Sequence, residues 1–231
     1  MLYLAMTAGE FHSCRDLPSK IAWMACHFSP YGTGLTKLPR ELPAGALLIL
    51  NDRTPIHGHN ADLILDTLEA VMAEQNCGGL LLDLQQEGIP ETEVLVQKLS
   101  ALPCPIAVSV PYAPDHTAIF LPPVPLLIPV GDYLAPWQGR DIWLDAALDA
   151  CQITVTAAGA TTTPLPARDL PALPHYDEEL HLHYGLEVSP ERAIFTLCRT
   201  KQDLSDLLDA AKAHGARNAV GLYQELSDFI P

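Results

Sequence analysis

Polar residues recur at the ends of short apolar runs, and these are the positions with chemistry to offer. Glu10 and His12 follow the run 2–7, and His27 ends the run 21–27. Asn51, Asp52 and Arg53 follow 46–50, while Asp83, Gln85 and Glu87 come at the end of 79–84. Tyr112 follows 106–110, Asp132 and Tyr133 follow 126–130, and Tyr223, Gln224 and Glu225 close 219–223. Carboxylates gathered at one place can divide acid and base roles, and aromatic rings among them can stack on sugar faces, so the set suits a carbohydrate. A second chemistry is written in His57-Gly-His59 and His181-Leu-His183. In a strand that spacing puts both imidazoles on one face, as metal ligands require, and Asp52, Asp83 or Glu179 could complete a hydrolytic metal site. Other chemistries lack an anchor. The chain has no Gly-x-Ser-x-Gly and no phosphate loop, Gly32-Thr-Gly34 being two glycines in a turn, and nothing in it calls for a cofactor.

The elements that must position these residues are short. Nine strands are expected: 2–7, 21–27, 46–50, 79–84, 106–110, 126–130, 153–157, 193–197 and 219–223. Most are continuously apolar, which suits parallel strands buried on both faces. Asn60 can cap a helix with Leu63, Ile64, Leu68, Val71 and Met72 inward, and Pro90 can open another. Thr200 and Asp203 resemble a capping box for a third, and 141–150 is expected to form a fourth. Segments 46–84 and 193–223 then read strand–helix–strand, the repeating unit of an α/β fold. Eight or nine strands favour a single domain over 1–231, a (β/α)₈ TIM-type barrel. The barrel should be trimmed. Of 21 prolines, nine fall in 103–136 and four in 161–174, where loops should replace outer helices because proline removes a donor and clashes with the preceding turn. Active sites of such barrels lie at the C-terminal strand ends, so one rim would gather the polar set above.

Composition narrows the partners. With 13 Lys+Arg against 28 Asp+Glu the net charge is −15, which argues against nucleic acid and anionic membranes. No apolar run is long enough to span a bilayer, and the apolar start is too short for a signal peptide, so a cytoplasmic protein is expected. The six cysteines are scattered singly and read as free thiols. Trp23 and Trp143 read as core, whereas Trp137, in a loop, is a candidate ligand contact. The oligomeric state is not encoded legibly.

Two stretches also resemble a known family. Ala46-Leu-Leu-Ile-Leu-Asn51, the helix from Asn60 and Gly78-Gly-Leu-Leu-Leu-Asp-Leu-Gln85 look like the third and fourth strands of chitinase-like glycoside hydrolases of family 18. The closing unit from Phe195, through Thr200-Lys-Gln-Asp-Leu-Ser-Asp-Leu-Leu-Asp-Ala-Ala-Lys212 and Gly215-Ala-Arg-Asn-Ala-Val-Gly-Leu-Tyr223, is similar to that family's spore-cortex, peptidoglycan-degrading branch. The resemblance implies a sugar site at the barrel rim and hydrolysis assisted by the substrate's own acetamido group. A spore association is implied by it alone. The family's fourth strand reads Asp-Gly-x-Asp-x-Asp-x-Glu, its last Glu being the general acid. Its four acidic positions fall here on Gly78, Leu81, Asp83 and Gln85, so one carboxylate is kept and the acid becomes an amide. The family's Ser-x-Gly-Gly in the third strand is also absent, and its last-strand tryptophan falls on Tyr223.

The expected function is therefore a glycan-binding or scaffold barrel impaired in cleavage. The alternatives are an active hydrolase of N-acetylglucosamine-containing glycans using another carboxylate, and the metal-dependent hydrolase. Asp83, Gln85 and Glu87 are the catalytic candidates. Glu10, Asn51, Asp52, Tyr112, Asp132, Trp137, Tyr223 and Glu225 are the ligand-binding ones.

Overall fold

A computed structural model describes residues 1–30, 34–54, 56, 58, 60–167 and 170–227. In chain order the elements begin with β1 (Leu2–Met6), α1 (Ala8–Ser13), β2 (Ile21–Phe28), β3 (Leu35–Thr36) and β4 (Leu47–Asn51). Next come α2 (Ala61–Glu74), β5 (Gly79–Asp83), α3 (Pro90–Leu99), β6 (Ile106–Ser109), β7 (Ala118–Leu121), α4 (Val130–Leu134) and β8 (Ile142–Ala146). Five strands follow, β9 (Ala150–Thr156), β10 (Gly159–Pro164), β11 (His175–Asp177), β12 (Leu182–Val188) and β13 (Arg192–Cys198). The chain closes with α5 (Lys201–Ala213), β14 (Ala216–Leu222) and α6 (Tyr223–Leu226). These group into two compact units: Met1–Pro122 with Arg140–Asp145 and Arg217–Pro231, and Pro123–Gly139 with Ala146–Ala216. Among the described residues no helix is long and apolar enough to cross a membrane.

The first unit carries a closed eight-stranded barrel in the order β1-β14-β8-β7-β6-β5-β4-β2, with β1 pairing back onto β2. Its continuous apolar runs have a simple cause: both faces of each strand are buried. Leu47, Ile49 and Leu81 point inward with Ala22, Phe120, Trp143 and Val220. Their neighbours Leu48, Leu50, Leu80 and Leu82 point outward, against Ile64, Leu68 and Met72 of α2 and Leu95, Val96 and Leu99 of α3. Asn60 caps α2 as its sequence position implies, accepting from the backbone N–H of Asp62 at 3.0 Å and of Leu63 at 3.3 Å. Pro90 opens α3.

Two strand assignments shift. Residues 126–130 do not form a strand: Pro125 precedes them, Pro129 interrupts them, and Leu127 and Ile128 are exposed. The barrel strand is instead β7, Ala118-Ile-Phe-Leu121, buried throughout. Segment 141–150 is not a helix but β8 and the start of β9, because Ile142, Trp143 and Leu144 are all buried and suit a pleat better than one helical face. The prolines of 103–136 do act as expected. Between β6 and β8 the only α-helix is α4, five residues long.

The second unit holds an antiparallel sheet in the order β10-β9-β13-β12-β11. Thus 153–157 and 193–197 are strands, but not barrel strands, and 193–223 is not a parallel strand–helix–strand unit because β13 pairs antiparallel with β9 and β12. Residues 161–164 complete β10 rather than replacing a barrel helix; Pro164 is tolerated because this is an edge strand. The capping box of α5 forms as read, Thr200 N–H donating to Asp203 Oδ2 at 2.8 Å and Asp203 N–H to Thr200 Oγ1 at 3.2 Å. Beside it Arg199, 1% exposed, donates to three carbonyls: Val124 at 2.8 Å, and Leu180 and His181 at 3.3 Å each.

Candidate functional site

Strand register lines up a polar row at the C-terminal side of the barrel. Thr36 of β3 lies opposite His27 of β2, His27 opposite Asn51 of β4, and Asn51 opposite Asp83 of β5. Leu47, Ile49 and Leu81 face the interior, so by alternation Asn51 and Asp83 do too. His27 reaches the row through a bulge. Trp23 pairs with Leu48 but Cys26 with Leu50, one residue more in β2 than in β4. Above the row opens a cavity of about 620 Å³. Its lining includes Thr7 after β1, Met24 and His27 of β2, Lys37 after β3, Asn51, Asp52 and Arg53 at β4, and Asp83, Gln85 and Gln86 at β5.

Asp83 and Gln85 form a hydrogen-bonded pair in its lining. Gln85 Nε2 donates to Asp83 Oδ1 at 2.6 Å. Burial pushes the Asp83 carboxyl above its ordinary value and the charge of Asp52 adds to this, while the Gln85 hydrogen bond opposes both. The sign for stability follows. An unfolded aspartate keeps the ordinary 3.8, so above that value the folded chain holds its proton longer. Stability contributed at this site is therefore full below that value and is lost as pH rises through the raised one. Asp83→Asn is expected to remove that slope. Urea midpoints of the two proteins, measured from about pH 3 to 7, should diverge in favour of the variant as pH rises.

Asp52 is 5% exposed, and its task is structural. Its Oδ2 accepts the backbone N–H groups of Gln85 at 2.9 Å and Gln86 at 2.7 Å, pinning the turn that follows β5. Asp52→Ala strands both donors and is expected to cost about 3 kcal/mol, read as a lowered denaturation midpoint. Asn51 holds the other side. It donates to the Met24 carbonyl at 3.4 Å and accepts from the Arg53 N–H at 3.2 Å. Burial, then the charges of Lys37 and Arg53, push the His27 imidazole below its ordinary value, leaving it neutral at pH 7. Its Nδ1 is buried without a hydrogen-bond partner among the described residues.

Of the candidates read from sequence, the cavity brings together Asn51, Asp52, Asp83 and Gln85. The others do not line this cavity. Glu10 closes the capping box of α1, accepting from Thr7 N–H at 2.7 Å and Thr7 Oγ1 at 2.8 Å. Tyr112 donates its hydroxyl to the Gln86 carbonyl, propping the same turn from behind, and Glu87 on that turn is exposed. Tyr223 and Glu225 lie in the short α6, with the Tyr223 hydroxyl 3.4 Å from Cys14 Sγ. Asp132 in α4 and Trp137 in the helical turn after it belong to the second unit.

Metal binding gains no support. His57 and His59 lie outside the described residues. His181 has φ 48° and precedes β12, so its pair with His183 is not the in-strand arrangement, and His183 Nδ1 is 2.9 Å from Asp203 Oδ2. No three candidate ligands cluster among the described residues. Sequence reasoning passed over Lys37, which follows a two-residue strand, and Gln86, whose neighbours drew attention first.

No family model matches the chain, and no curated protein matches it by sequence. Its fold is nevertheless shared. The chitinase-like agglutinin of Robinia pseudoacacia superposes with a TM-score of 0.61 at 11% identity, over 98% of this chain and 97% of that one. A double mutant of a family 18 chitinase from Cycas revoluta, in complex with (GlcNAc)4, gives 0.60 at 10% identity, over 99% and 96%. The spore cortex-lytic enzyme SleL of Bacillus cereus gives 0.51 at 10% identity, over 100% of this chain and 74% of that one. The chain spans 58% of the length of SleL from Bacillus megaterium. The barrel is therefore of the family 18 chitinase type in fold.

Proposed function

We propose that this barrel binds an N-acetylglucosamine-containing glycan in its rim cavity and is impaired in cleaving it. The observation that carries the reading is the pair of Asp83 and Gln85, joined at 2.6 Å inside the cavity. Asp83 can accept from a sugar amide or hydroxyl, as the resemblance implies for the inner aspartate. The same resemblance puts the acid's position on Gln85, whose side chain has no ionisable proton. Two fold relatives support the reading: one is described as a chitinase-like agglutinin, and the other, a chitinase carrying a glutamate-to-glutamine exchange, holds (GlcNAc)4. Isothermal titration with (GlcNAc)4 tests it. Binding should appear in the wild type and weaken by about tenfold or more in Asp83→Ala, the loss of one charge-assisted hydrogen bond. Absence of heat with every N-acetylglucosamine oligomer would sink the proposal.

One observation favours the active-hydrolase reading instead. Asp83 is held above its ordinary value in a cavity, as acid–base residues often are. Wild-type turnover of a chromogenic N-acetylglucosaminide, lost in Asp83→Ala, would establish that reading.

A further inference from the structure

The rim cavity has two electrically different walls, and glycan binding through Asp83 uses one of them. The other is formed by His27, Lys37 and Arg53. Lys37 and Arg53 are exposed, and neither is ion-paired with another described residue. In a chain with 13 Lys+Arg against 28 Asp+Glu, two cations lining one cavity give this wall the sign opposite to the net charge of the molecule.

Lys37 is also held in place at a cost. Its φ of 55° lies in the left-handed region, which side chains with a Cβ avoid. Its carbonyl accepts the indole N–H of Trp23 at 3.0 Å, and Trp23 is 3% exposed and rooted in the core. Arg53 is tied at its backbone N–H to Asn51. His27 stands close enough to both cations for their charges to push its imidazole down, which places Lys37 and Arg53 together on its side of the cavity.

Resting on the glycan-binding reading, we infer that the cavity selects an acidic glycan, one whose sugar carries a carboxylate or sulfate substituent. Lys37 and Arg53 take the anion, Arg53 through its forked donors, while Asn51 and Asp83 face the amide and hydroxyl groups of the sugar. The net charge of −15 repels anions from the molecule as a whole, so a preference for an acidic ligand runs against the general field and has to be local.

Titration at low ionic strength with (GlcNAc)4, with its 6-O-carboxymethyl form and with its 6-O-sulfate form tests this directly. At least one acidic form should bind about tenfold more tightly than the neutral tetramer, and the advantage should fade in high salt. In Lys37→Gln/Arg53→Gln the ratio of acidic to neutral affinity should collapse towards one; both positions are exposed, so folding is checked simply by an unchanged melting curve. The better of the two acidic forms identifies the anion. Equal or weaker binding of both acidic forms, with the neutral tetramer still bound, overturns the selectivity and leaves glycan binding standing. An advantage that survives in the double variant also overturns it. No binding of any of the three overturns both readings.

Discussion

Gln85→Glu is expected to raise turnover of a chromogenic N-acetylglucosaminide by about 10²-fold or more over the wild type, the gain associated with a positioned general acid. The exchange is nearly isosteric, and the site is prepared for it. Gln85 Nε2 already sits 2.6 Å from Asp83 Oδ1, so a carboxyl in its place would meet the Asp83 carboxyl at hydrogen-bond distance. Two carboxyls that close cannot both ionise, and one keeps its proton towards neutral pH, which is the property an acid needs. Asp83 starts from a raised position, through burial and the nearby charge of Asp52, which strengthens the effect. A continuous release assay reads the result, with Asp83→Ala in the Gln85→Glu background as the control that should abolish it. No gain would mean that the resemblance to family 18 stops at the fold. The absent acidic residues at Gly78 and Leu81 would then be part of the deficit.

Arg199→Met is expected to cost about 3–5 kcal/mol, the usual cost of removing one member of a buried charged network. Methionine keeps much of the volume but donates nothing, so the carbonyls of Val124, Leu180 and His181 lose their donors together. Burial pushes the Arg199 guanidinium below its ordinary value, but the charges of Asp149 and Asp203 oppose this and it stays charged at neutral pH. In a chain of this length the loss corresponds to a melting temperature lower by about 10 °C, measurable by calorimetry. Arg199→Lys should fall between the two, since an ammonium keeps the charge without the planar fork that spans three acceptors.

How far the sequence carries can be judged from particular residues. Runs such as Leu47–Asn51 and Gly79–Asp83 were legible because burial on both faces leaves no polar residue to interrupt them. Ala118–Leu121 was not, since four residues between prolines carry less apolar weight than the run Leu126-Leu127-Ile128, of which Leu127 and Ile128 are exposed. The second unit has its own signature in the sequence. In 153–156 apolar and polar residues alternate, Ile153 and Val155 against Thr154 and Thr156, the sequence pattern of an antiparallel strand. At the site, Asn51, Asp52, Asp83 and Gln85 followed from strand ends alone. Glu10, Tyr112 and Tyr223 looked equivalent but were already engaged with Thr7, Gln86 and Cys14, local contacts that no count of strand ends reveals.

The extra residue in β2 makes the strand two rulers laid end to end, half a period out of step. Before it, Ala22 belongs to the interior; beyond it, Cys26 is turned to the helices and His27 to the cavity. Were the pairing of Trp23 with Leu48 simply continued, Ala25 would stand opposite Leu50 and Cys26 opposite Asn51. A thiol now buried, and pushed up to about 12, would take the imidazole's place beside Asn51. Shedding one residue at the bulge, by contrast, would straighten the strand and leave His27 where it stands. A single insertion or deletion in a turn-free strand can thus decide which side chain of β2 stands beside Asn51 at the rim.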